Sequence, residues 1–144
     1  MTLWLAITAA AILVAAAVHD AKTMLIPNWM SLAVAGLAVV NSVIEGSLAS
    51  LGWLEAIIGL SLGLVLFFCK QMGAGDVKLA SAALLWLPGR GIEFLVFTSF
   101  IGLLVAVACL IRNKVKGRRD RQAPYGVAIG GAAVLALLLP LILV

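Results

Sequence analysis

Apolar residues run along this chain in long unbroken blocks, separated by a few short polar turns, with no strict alternation. Blocks of this kind predict helices, because a strand with one wet face would alternate every second residue. The first block covers residues 3–18 and stops at His19-Asp20. After a polar turn, Pro27 sits where the first turn of a second helix begins, a position at which its missing N–H costs nothing, and residues 28–44 continue it. Glu45-Gly46-Ser47 reads as a turn, and residues 51–69 form a third block. The stretch Gly73-Ala74-Gly75-Asp76-Val77-Lys78 introduces a short fourth block that ends at Leu87, before Pro88-Gly89-Arg90-Gly91. Residues 92–111 make the fifth, and Ala123-Pro124-Tyr125-Gly126 opens a last one reaching about residue 143. Within the third block, Gly59 and Gly63 have the GxxxG spacing that lets a neighbouring helix come close.

Composition turns these helices into a membrane protein. Of 144 residues, 65% are hydrophobic and 11% charged, with a mean hydropathy of +1.22, whereas an ordinary soluble domain is about 25% charged. Backbone groups in lipid must pair within their own segment, so the expectation is an all-α, polytopic membrane bundle of about six transmembrane helices, one domain over residues 1–144. The first block resembles a secretory signal in its small residues, but Met1-Thr2-Leu3 carries no positive charge, and it is read as a retained helix. The fourth is too short to span. From Asp76 to Leu87, at 1.5 Å per residue, it covers about 18 Å of a hydrocarbon core about 30 Å thick. With the Pro88 turn at the far surface, Asp76 lies roughly 10 Å inside the near boundary, in a water-filled notch.

Charge then orients the bundle. Lys22, Lys70, Lys78, Arg112, Lys114, Lys116, Arg118, Arg119 and Arg121 fall on one side, and Arg90 stands alone on the other. The positive-inside rule makes the first side cytoplasmic and both termini non-cytoplasmic. The basic run 112–121 suits anionic lipid head groups. The net charge of +4 lacks the aromatic-basic interleaving or groove-reading motif of a nucleic-acid binder. Trp4, Trp29, Trp53 and Trp86 lie near helix ends and read as interface anchors. Cys69 and Cys109 read as small buried thiols, since neither has a second Cys or His at metal-ligand spacing. No metal or cofactor is called for.

Three acidic residues share the cytoplasmic side, Asp20, Asp76 and Asp120, and the first two flank helices at or below the interface. Each alone has a plain reading, Asp20 as a polar turn and Asp76 as a helix cap. Gly73 and Gly75 around Asp76 ask for more, because a cap does not need backbone freedom or close approach on both sides. Two carboxylates held together cannot both ionise easily and share a proton. Such a pair can activate water against a peptide carbonyl without metal or covalent intermediate. The competing nucleophiles are weaker candidates. Ser61, Ser81 and Ser99 lie on apolar segments away from His19, the single histidine, which reads as an interfacial residue or a neighbour of Asp20. A different class stays open: a small transporter or proton-conducting protein using the same two aspartates as relay groups.

The combination Asp20-x6-Pro27-Asn28 followed by Gly73-x-Gly75-Asp76-x-Lys78, with Pro124-Tyr125-Gly126 before the last helix, resembles the type IV prepilin peptidases. The GxGD element alone is shared with presenilin-like and signal-peptide peptidases; the Ile-Pro-Asn and the lysine make it specific. The resemblance implies an intramembrane aspartyl endopeptidase that removes the leader of prepilins or pseudopilins at the cytoplasmic face of the bacterial inner membrane. Asp20 and Asp76 match the two catalytic aspartates. Gly73, Gly75 and Lys78 match the motif around the second, and Pro27 and Asn28 the segment after the first. The longer members carry a methyltransferase region with two CxxC pairs. This chain has no CxxC, and so resembles the short, peptidase-only branch serving tight-adherence (Flp) pili. The basic cytoplasmic face offers little attraction to a basic leader, which points to docking through the substrate's own apolar helix.

Overall fold

The computed structural model describes residues 2–48, 51–116 and 125–142, with side chains to residue 111 in the second stretch and 139 in the third. The side chains of the basic run 112–121, Asp120 among them, and Pro124 lie outside the described residues. The described residues form six helices and no strand: α1 (Leu3–Thr23), α2 (Asn28–Ile44), α3 (Trp53–Phe68), α4 (Ala74–Leu84), α5 (Gly91–Lys116) and α6 (Tyr125–Ile142). Two segments, Leu3–Thr23 and Gly91–Ile111, are long and apolar enough to cross a membrane. The outer surface is covered with Leu, Ile, Val, Phe and Trp side chains, and α5 buries almost nothing against the rest of the chain. Such a face is costly in water and free of cost in hydrocarbon.

Four helices make the centre. α1 packs on α2 and α6, and α4 packs on α2 and α6, which places α1 and α4 on opposite corners of a square. α3 lies outside α4, and α5 outside α6. Small residues set these distances. At Gly130 of α6, a Cβ would stand 2.8 Å from the Leu13 carbonyl oxygen and 3.0 Å from the Ala17 Cβ, so α1 and α6 touch nearly backbone to backbone. The GxxxG pair of α3 has α4 as its neighbour: Gly59 faces Leu84, and Gly63 faces Val77. Close approach of this kind replaces the hydrophobic drive that lipid removes.

Three expectations change. α1 continues five residues past Val18, to Thr23, which puts Asp20 on the helix. The buried positions Ala6, Ala9, Leu13, Ala16 and Asp20 then fall at spacings of three and four, so Asp20 ends the inward stripe. Trp86 is an internal residue, 7% exposed, whose Nε1 donates to the Val34 carbonyl of α2 at 3.0 Å; Trp4, Trp29 and Trp53 are the exposed ones. Burial is tolerable there because the indole N–H is satisfied. Cys69, expected buried, is exposed just beyond α3, while Cys109 is intermediate; both are free thiols.

Arg90, alone on its side of the chain, has a structural task. Its Nη1 donates to the carbonyl of Ala136 on α6 at 2.7 Å, and its Nε to Glu93 at 2.9 Å. In a regular helix that carbonyl would accept the N–H of the residue four positions on, which is Pro140 and has none. The guanidinium therefore satisfies an acceptor that the proline orphans. Arg90→Met is expected to lower stability by about 1.5–3 kcal/mol, the usual range for hydrogen bonds to charged groups. Pro140→Ala, which restores the N–H, should shrink that loss in a double-mutant cycle of thermal melts in detergent.

Candidate active site

The end of α1 is turned sharply. Met24 takes the left-handed conformation (φ 55°), and its N–H closes the helix on the Asp20 carbonyl at 2.8 Å. His19 Nδ1 lies 2.8 Å from the Leu25 carbonyl oxygen, which can only accept, so this nitrogen carries the proton in that bond. Thr23 Oγ1 lies 2.9 Å from the same nitrogen and donates to the His19 carbonyl. His19 thus fixes the 23–25 turn. Ser61 and Ser81 donate instead to carbonyls of their own helices, Ile57 and Val77. Pro27 stands one residue earlier than expected, as the extended residue (ψ 134°) just before α2, and Asn28 opens that helix.

Asp20 is 4% exposed, and its Oδ2 accepts the N–H of Gly126 at 2.9 Å, in the first turn of α6. The N-terminus of a helix offers unpaired N–H groups and a positive dipole end, a natural seat for a carboxylate. Asp76 occupies the first turn of α4 and is half-buried. Its Oδ2 accepts the Gly73 N–H at 3.3 Å, so the cap reading of Asp76 holds for that oxygen. Its Oδ1 is buried with no hydrogen-bond partner among the described residues. A simple cap leaves no such atom. Asp20 and Asp76 stand on opposite corners of the square of helices, at the same end of it.

The glycines around Asp76 are needed for proximity, not for unusual dihedrals. Gly73 has φ −73°, open to any residue, and Gly75 is helical. A Cβ on Gly75 would lie 3.1 Å from the Cβ and 3.2 Å from the carbonyl oxygen of Ile26. Ile26, in the α1–α2 turn, also faces α6: a Cβ on Gly126 would lie 2.8 Å from Ile26 Cδ1 and 2.7 Å from Asp20 Oδ2. One side chain is therefore wedged between the segment carrying Asp76 and the segment that holds Asp20. Lys78 Nζ donates to Asn28 Oδ1 at 3.0 Å, a second tie between the same two motifs. Of the residues picked out from sequence, Asp20, Pro27, Asn28, Gly73, Gly75, Asp76 and Lys78 all gather at this end of the bundle.

A model of the type IV leader peptidase family matches residues 7–111, a span that runs from within α1 into α5 and includes both aspartates. The chain belongs to the type IV leader peptidase family. No curated protein and no solved structure matches it. The matched region stops before α6, so the contact of Gly126 with Asp20 comes from outside it. Two residues of this candidate site escape a reading by motif, Ile26 as the wedge and Gly126 as the donor to Asp20. Gly126 and Gly130 are themselves a GxxxG pair, and that spacing was the available signal.

The Lys78–Asn28 bond is exposed and contributes little to stability, less than about 1 kcal/mol by analogy with surface pairs. Its value lies in register. Lys78→Met and Asn28→Ala should each slow peptide cleavage, and the double variant should be no slower than the worse single one. Independent, multiplying losses in cleavage rates would show that the two residues do not act through each other.

Proposed function

We propose that this protein is a membrane-embedded aspartyl endopeptidase that removes the N-terminal leader of type IV prepilins, of the Flp type, at the cytoplasmic face of the bacterial inner membrane. Residues 1–144 act as one peptidase domain that crosses the membrane several times, with both termini non-cytoplasmic. Asp20 and Asp76 are its catalytic pair. The observation that carries this reading is the convergence of the two aspartates around Ile26, with one buried oxygen of Asp76 lacking a donor among the described residues. Family membership supports the substrate class, a protein of prepilin type.

In this reading the two carboxylates hold one proton between them. The ionised member takes a proton from a water as its oxygen attacks the scissile carbonyl carbon. The protonated member gives its proton to the carbonyl oxygen, and the tetrahedral intermediate collapses as the leaving nitrogen is protonated and the C–N bond breaks. Gly126 N–H holds Asp20 and Gly73 N–H holds Asp76, so neither carboxylate needs to reorganise during the reaction. Lys78 ties Asn28, at the start of α2, to the helix that carries Asp76. Membership of a peptidase family leaves the proton-relay alternative without an observation of its own.

The test is a mass spectrum of a candidate prepilin before and after incubation with purified protein. A new species lacking the leader is expected, and its mass gives the scissile bond. An unchanged mass with a correctly inserted enzyme would refute the assignment.

A further inference from the structure

Because α3 packs chiefly on α4 and α5 chiefly on α6, the two outer helices stand apart like the sides of a trough. Between them lies an open cavity of about 720 Å³, with α4 and α6 as its floor. It extends along α3 from Glu55 to Leu66 and along α5 from Gly91 to Ala106. At 1.5 Å per residue the α5 wall is about 22 Å long, most of a hydrocarbon core of about 30 Å. The lining is apolar along its middle, broken by Thr98, whose hydroxyl is spent on the Phe94 carbonyl, and by Ser99. Glu55 at the far end is likewise engaged, by the Gly89 N–H.

The other end of the trough decides what it holds. It is bounded by Gln71 and Met72, which immediately precede Gly73, and by Tyr125, which immediately precedes Gly126. The trough thus opens onto the two segments that position Asp76 and Asp20. At this depth an occupying polypeptide must satisfy its own backbone, so it enters as a helix. The convex outside of a second bundle does not fit a concave trough.

We propose that this trough receives the apolar helix of the protein substrate, laid in the bilayer between α3 and α5 so that the chain leaving its end meets Asp20 and Asp76. The proposal rests on the peptidase reading and adds to it the route and the recognition element. Apolar surface and helix length are selected along the trough, while the scissile bond is selected only at its mouth.

The test uses the full chain with Cys69 and Cys109 replaced by alanine and Asp76→Asn to hold uncut substrate. A single cysteine is placed at Ser99→Cys, on the trough wall, or at Phe100→Cys, its neighbour in depth, which is 64% exposed and does not line the trough. A prepilin carrying one cysteine in its apolar helix is co-expressed, and membranes are oxidised. A disulfide to the prepilin is expected from Ser99→Cys and not from Phe100→Cys. Equal yields, no prepilin adduct at either position, or an adduct only with a second enzyme copy overturn the proposal. In the active chain, Gly102→Trp should lower the rate on full-length prepilin roughly tenfold, equivalent to about 1.4 kcal/mol of binding. Leu104→Trp, outside the trough, should not. An enzyme that cleaves normally with Gly102→Trp refutes the trough alone. An enzyme without these substitutions that cleaves nothing refutes the peptidase reading instead.

Discussion

Asp20→Asn and Asp76→Asn are each expected to reach the membrane in normal amount, melt at nearly the parent temperature in detergent, and lose prepilin cleavage by roughly 10²–10⁴-fold. That range is what a positioned general acid or base contributes. Asparagine is the informative replacement. Its side-chain oxygen can still accept the Gly126 N–H at position 20, or the Gly73 N–H at position 76, so the local fold is kept while the titrating proton is lost. Alanine at position 20 would leave the Gly126 N–H buried and unpaired, at a cost of about 1–3 kcal/mol, and would confuse a folding defect with a chemical one. The double Asn variant should be no slower than the slower single, because the two groups share one proton and act as a unit. Normal leader removal by either single variant would end the two-carboxylate mechanism. Proton or solute flux in liposomes that both variants abolish, with no peptide bond cut by the parent, would return the protein to the relay class.

Much of the helical layout was legible because lipid simplifies the code. A block of apolar residues must be a helix, and each polar break shows where one ends. That Asp20 and Asp76 lie at one end of the bundle was reachable by the same route, through the side on which each break falls. What could not be read was which polar residues continue a helix inward. His19-Asp20 looks like the surface end of a span, and only the run Ala9, Leu13, Ala16, Asp20 on one face shows that the stripe carries on. Trp86 sits at a helix end in sequence, yet its indole bonds to a carbonyl 52 residues away, a contact that no local pattern announces. The Arg90 bond to Ala136 is of the same kind: Pro140 reveals an orphaned acceptor, and the fold alone reveals which donor fills it. Of the two reasons the sequence offered for the glycines of the Asp76 motif, close approach holds at position 75, where Ile26 crowds any side chain, while backbone freedom does not, since their angles are ordinary.

Gly126 and Gly130 lie one turn apart on α6, both pressed against α1, and alanine at each should produce different failures. At Gly130 the added Cβ meets the Leu13 carbonyl oxygen at 2.8 Å, a backbone atom in the middle of α1. The α1–α6 seam must open to admit it, and overpacking of this kind costs about 1–3 kcal/mol. Gly130→Ala should therefore melt earlier, with its folded fraction still cleaving. At Gly126 the Cβ meets Asp20 Oδ2 at 2.7 Å and Ile26 Cδ1 at 2.8 Å, both at the free ends of side chains. Those can swing aside without moving a helix, so Gly126→Ala should keep most of its stability. What swings aside is one carboxylate of the proposed catalytic pair and the wedge that sits between it and the other. A displacement near 1 Å in a reacting geometry can cost about 10²-fold in rate, and cleavage by Gly126→Ala should fall by about that factor. Measuring melting temperature and cleavage rate for both variants separates the two effects. Equal rate losses with equal losses in melting temperature would mean that Gly126 is only a packing residue, and that Asp20 is not held in place from α6.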